Sequence, residues 1–154
     1  MDKLAKIESS AKDTWKLVIS TMEEYKKVKE SGEPHSLIDI KDDLISIANT
    51  VGYFEAEYKE LADKAEIEVE ELKVDQYLFY RGKQEQKPQE KYTEKDADYK
   101  ARKFAMGARM DYANFNKQYK RFRNAREAMF KAIDSISQRV SLIKMEQNTN
   151  QFTT

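Results

Sequence analysis

The chain reads as all-α, and three observations predict this. Apolar residues recur at spacings of three and four along most of its length. Gly (4) and Pro (2) are scarce in 154 residues, too few for a turn-rich β protein. Hydrophobic residues make up 40% and charged residues 36%, a balance that suits rods burying a narrow seam rather than a thick globular core. The length predicts one helical domain over residues 1–145, followed by a disordered tail over 146–154.

The first helix is predicted over about 2–30. Leu4, Ile7, Ala11, Trp15, Val18, Met22 and Tyr25 form one amphipathic face. Ser31-Gly32-Glu33-Pro34 stops it, because Gly relaxes the backbone and Pro lacks an amide donor. His35, the only histidine, follows and reads as a turn residue.

The second helix is predicted over about 36–80. Leu37, Ile40, Leu44, Ile47, Val51, Phe54, Tyr58, Leu61, Ala65, Leu72 and Phe79 keep a heptad rhythm. Glu68 interrupts the seam, with Val69 beside it as a substitute. Gly52 is placed either to kink the helix or to admit a close neighbour. Residues 81–92 lack periodicity, contain Gly82 and Pro88, and read as a connector. Thr93 and Asp96 then resemble a helix-start capping pair.

The third helix is predicted over about 94–145. One seam position reads Ala105, Tyr112, Tyr119, Arg126, Ile133 and Val140. The other reads Ala101, Ala108, Phe115, Phe122, Met129, Ile136 and Ile143. Arg126 on this seam needs a carboxylate from the second helix or a place on an oligomer axis, since an unpaired buried Arg is costly. The second and third helices make a long antiparallel hairpin with coiled-coil-like packing. Two helices alone cannot enclose a seam this rich in Tyr and Phe, so the remaining apolar surface predicts a homo-oligomeric bundle. A monomeric three-helix bundle closed by the first helix is the alternative.

The composition excludes several function classes. No run of about 18 apolar residues could span a membrane. With no Cys and one His, disulfides, thiolate metal sites and His-containing di-iron sites lack support. The absence of Cys fits a reducing cytoplasm. Glu66, Glu68, Glu70 and Glu71 read as a solvated acidic face, since 68 does not share a side with 66 and 70. No phosphate-binding loop or nucleophile elbow is present, so no enzymatic activity and no cofactor are expected.

The charge pattern is more telling. Residues 1–77 hold 11 Lys/Arg against 19 Asp/Glu, a net of −8, whereas 78–154 hold 17 against 9, a net of +8. The basic half also carries most of the Tyr and Phe. Cations for phosphates and flat rings for bases are what an unpaired polynucleotide strand requires. Two groups are candidates. Lys73, Tyr77, Tyr80, Arg81, Lys83 and Lys87 gather at the end of the second helix. Arg102, Lys103, Arg109, Lys117, Lys120, Arg121 and Arg123 lie off the seam of the third. Alternatively, the basic helix pairs with the acidic second helix, whose net charge over Glu55 to Asp75 is −6 from 3 Lys and 9 Asp/Glu.

Taken in order, the acidic helix running into Tyr77-Leu78-Phe79-Tyr80-Arg81-Gly82-Lys83, the polar connector, and a long helix ending Ile133-Asp134-Ser135-Ile136-Ser137-Gln138-Arg139-Val140-Ser141-Leu142-Ile143-Lys144 resemble the UvsY-type recombination mediators of tailed phages. The resemblance covers about residues 54–145. It departs from the family at Asp75 and Gln76, which stand where basic residues are usual, and at Val140, which stands where Gly is usual. It implies a small helical oligomer that binds single-stranded DNA and helps a RecA-like recombinase displace a single-strand-binding protein. It places Lys73, Arg81 and Lys83 near the DNA. A helical protein-interaction module, such as a phage scaffold, an adaptor or an inhibitor of host defence, is the other reading of the same heptads.

Overall fold

The computed structural model describes residues 3–86 and 92–151, with side chains described over 3–82 and 92–147. Among these residues the fold is all-α, with four helices and no strand: α1 (Lys3–Ser31), α2 (Pro34–Gln86), α3 (Glu94–Phe104) and α4 (Met106–Gln151).

Local chemistry sets the helix ends. α1 stops at Gly32, whose φ of +69° is open to Gly and strained for other residues. Its amide donates to the Val28 carbonyl at 3.0 Å. Pro34 then begins α2, where its missing donor costs nothing. The Glu33 carboxylate accepts from the Ser36 amide at 3.2 Å and from the Ser36 hydroxyl, and these bonds hold its pKa below the ordinary glutamate value.

The predicted third helix is two helices. At Ala105 the ψ angle opens to 4°, far from the helical value. Gly107, two residues on, weakens helix propensity there. Hydrogen bonds flank the bend, from Ala105 N–H to Ala101 O at 3.1 Å and from Arg109 N–H to Ala105 O at 3.0 Å. Ala97, Ala101, Ala105 and Ala108 are all buried, so one face carries from α3 into α4. Residues 81–86 and 146–151, predicted as connector and tail, continue α2 and α4. The rest of the predicted connector before Tyr92, residues 87–91, lies outside the described residues, as does the last part of the tail, 152–154.

Where the length predicts one domain, the chain gathers into two compact units, Met1–Glu55 with Lys120–Thr154, and Ala56–Tyr119. α2 and α4 each contribute residues to both.

The first unit is a three-helix bundle of α1, the start of α2 and most of α4. Phe122 is buried at its centre, with the Trp15 ring edge-on at 5.9 Å and Phe54 stacked at 5.5 Å. On α1 the buried positions include Thr14 and Thr21, while Trp15 and Met22, expected on the seam, are half-buried. Small side chains suit an axis between close helices, and wide ones move to its edge. The same substitution occurs on α2, where Ala48 is buried and Ile47 half-buried. Met129, Ile133 and Ile136 are buried as predicted from spacing, whereas Val140 and Ile143 are half-buried.

The second unit has only the rest of α2 against α3 and the first turns of α4. The pairings of Lys59 with Tyr119 and of Lys100 with Tyr80 make the helices of this hairpin antiparallel. Apart from Tyr58, its buried residues are small: Ala62, Ala65 and Val69 on α2, with Ala97, Ala101, Ala105 and Ala108 on the other side. Val69 takes the place at which Glu68 breaks the heptad, and Leu61 is half-buried. Leu72, Tyr112, Phe115 and Tyr119, expected on the seam, reach only half-burial, and Phe79 is exposed. A third helix that would cover them is missing from this unit.

This contrast has a measurable consequence. Phe122→Ala removes a ring enclosed by three helices and is expected to lower unfolding free energy by about 3–5 kcal/mol. Phe115→Ala, at a half-covered position, is expected to lower it by about 1 kcal/mol. Urea denaturation of the two variants measures both.

Candidate nucleic-acid interface

The start of α3 places the most suggestive cluster. Thr93 caps the helix: the Asp96 amide donates to its hydroxyl oxygen at 3.2 Å, and its own amide donates to the Asp96 carboxylate at 3.1 Å. The Thr93 hydroxyl donates to that carboxylate as well, at 2.7 Å. The hydroxyl bond, followed by the amide bond, holds the Asp96 pKa below the ordinary aspartate value, and nearby Lys100 adds to this. This capping box sets where the helix begins and hence where the side chains around it project.

Tyr92 precedes the cap and Lys100 lies on the helix it starts. The Lys100 Nζ stands 3.9 Å from the Tyr92 ring centroid and 5.0 Å from that of Tyr80, at the far end of α2. The two tyrosine rings are 5.5 Å apart, and Phe79 meets Tyr80 at 5.4 Å. An ammonium over ring faces is held by the ring quadrupole. Two half-buried tyrosines and a cation are thus gathered where α2 and α3 meet.

The other predicted DNA-contacting residues divide by environment. Lys73 turns to Glu70 of its own helix, and its side chain is largely covered. Tyr77 and Arg81 are half-buried beside the cluster. Lys83 belongs to α2 but its side chain lies outside the described residues, as does all of Lys87. Arg102 pairs with Asp98 at 2.9 Å, and Arg123 with Glu127 at 3.1 Å, each within one helix. Arg121 stacks its guanidinium 3.6 Å over the Trp15 ring and so helps bind α1 to α4. Lys103, Arg109, Lys117 and Lys120 are exposed, with no ion pair among the described residues.

Arg126, on the seam by spacing, is instead exposed at the edge of the bundle. Its guanidinium donates to Glu55 of α2 at 3.2 Å. Gly52 makes the space: a Cβ there would stand 3.3 Å from the Arg126 Nε. Pairing across helices with continued solvent access avoids the penalty of a buried charge.

Asp63, Glu60 and Glu70 of α2 engage lysines of the same helix. The bonds of Lys59 with Asp63 and of Lys64 with Glu60 raise both lysine pKa values.

Tyr92 and Lys100 were not among the candidates that the sequence singles out. The Thr93 capping signal places Tyr92 and Lys100 at the start of α3, but it does not bring them to Tyr80. Among the described residues, no cluster of His, Cys, Asp or Glu could hold a metal ion, and no helix is long and apolar enough to cross a membrane. Comparison with protein-family models, curated proteins and solved structures returns no match.

The capping box makes the cluster sensitive to acid. A lowered folded-state pKa contributes stability above the unfolded value, and that contribution disappears as pH falls through the folded value. Below about pH 4 the start of α3 is therefore expected to fray, with faster amide exchange at Asp96 and Ala97 than in mid-α4. Equal acid sensitivity in both places would contradict a capping role for Asp96.

Proposed function

We propose that this chain is a non-enzymatic single-stranded DNA-binding protein that acts as a homo-oligomer, of the kind represented by UvsY-type recombination mediators. The observation that carries the reading is the Tyr80–Tyr92–Lys100 cluster, with unpaired Arg109 and Lys117 in the same unit. Tyrosine faces accept bases of any sequence, and the cations offer phosphate contacts without reading sequence. Their partner would be an unpaired strand rather than a duplex, since only unpaired bases present their faces for stacking on tyrosine. In this reading the DNA-bound oligomer assists a RecA-like recombinase against a single-strand-binding protein, in the cytoplasm of the phage's host.

A protein-interaction module without nucleic-acid binding is the second reading. It is favoured by the apolar residues left exposed on α2, among them Ile67, Val74 and Leu78.

Fluorescence anisotropy of labelled oligo-dT at two salt concentrations separates the two. The DNA reading expects affinity to fall with salt, with a log–log slope of about 0.7 per phosphate contact. Tyr80→Ala combined with Tyr92→Ala is expected to lower affinity by roughly tenfold or more, as loss of base stacking predicts. No binding at low salt would overturn the DNA reading and leave the interaction module.

A further inference from the structure

Two exposed rows in the second unit share one spacing. On α2, Ile67, Glu71, Val74 and Leu78 follow one another at intervals of four, three and four. Across α3 and α4, Tyr99, Lys103, Met106 and Met110 repeat the same intervals. The apolar members of both rows are between 55% and 67% exposed, and Glu71 and Lys103 are exposed too. The second row crosses the bend at Ala105 without losing its face, since Tyr99, Met106 and Met110 are exposed while Ala101, Ala105 and Ala108 are buried.

Each row lies on the side of its helix away from the buried alanines and Val69. Neither is used within the unit, and their charges are opposite. Glu70, Glu71 and Asp75 border the apolar row on α2 and line a shallow groove with Val74. Lys103 and Arg109 border the row on α3 and α4. Exposed apolar rows with heptad spacing are the seam of a helix pair whose second member is absent. The acidic border of the α2 row repels a polynucleotide and attracts a cationic helix.

We infer that the occupant of the α2 row is the α3–α4 row of a second copy of this chain. Laid parallel, the rows match residue by residue: Ile67 with Tyr99, Glu71 with Lys103, Val74 with Met106 and Leu78 with Met110. Apolar groups meet apolar groups, and the one charged position in each row meets its opposite. Such a contact joins two different surfaces. Each added copy leaves one of each row free and is turned half a turn relative to the last, so assembly proceeds past a dimer to an open filament. The inference deepens the self-association part of the proposed function and is independent of its DNA part. It assigns Lys103 to the contact between copies, leaving Arg109, Lys117 and the tyrosine–lysine cluster for a strand.

The test is the mass of the full chain without DNA, by sedimentation velocity across a concentration series, for the wild type, Glu71→Lys, Lys103→Glu and the double variant. Wild type is expected to exceed a dimer. Each single variant brings like charges together and is expected to weaken association roughly tenfold or more, with helicity by circular dichroism unchanged. The double variant restores the opposite pairing and is expected to restore the assembly. Should a single variant lose helicity, Val74→Ser and Met106→Ser supply the same test from the apolar side. A wild-type monomer throughout, or an assembly that none of these changes alters, overturns the inference. Oligo-dT binding measured separately on wild type reports on the DNA reading alone.

Discussion

Coverage of the apolar seam is the constraint from which the rest follows. In the first unit α1 supplies the third helix, and Phe122 is enclosed by rings from α1 and α2. The second unit has no such helix, and its seam is lined largely by alanine. Alanine lets two helices approach closely but buries little apolar area, about 25 cal/mol for each Å². Two helices so joined leave Tyr112, Phe115 and Tyr119 partly wet and whole rows outside them bare. Stability rests on the first unit, and surface for partners remains in the second.

Charge is arranged to match. Lys59, Lys64 and Lys73 of α2 pair with acids of the same helix, and Glu66, Glu68 and Glu71 stand exposed beside them. α3 and early α4 keep exposed cations. Opposite charge on two separate surfaces of one chain favours contact between copies, and cations beside ring faces favour an unpaired strand. These two uses fall on different residues, so a protein that both assembles and binds DNA would not have to choose between them.

Much of the fold is legible in the sequence because its periodicity is strong. The all-α class, the stop at Gly32, the capping pair Thr93–Asp96, the substitution of Val69 for Glu68 and the buried run Met129–Ile133–Ile136 all follow from spacing. Trp15 and Ile47 were harder to place, because the heptad gives direction and not the distance between helices. At close approach the adjacent Thr14 and Ala48 fit where larger side chains do not. The bend at Ala105 is invisible to periodicity because the buried alanine face carries across it. As for the candidate site, composition located the basic and aromatic half but not the meeting of Tyr80, Tyr92 and Lys100. That meeting depends on how α2 and α3 are brought together, and no local pattern encodes it.

Hydrogen–deuterium exchange as a function of protein concentration tests the central claim most directly. Amides of α1 and of α4 around Phe122 and Met129 are expected to be strongly protected at every concentration, because three helices close that unit. Amides of α3 and of α2 beyond Val69 are expected to exchange quickly when dilute and to slow as copies meet. Equal protection of both units at all concentrations would contradict the account, since it would mean that the two-helix unit needs nothing further to cover its seam.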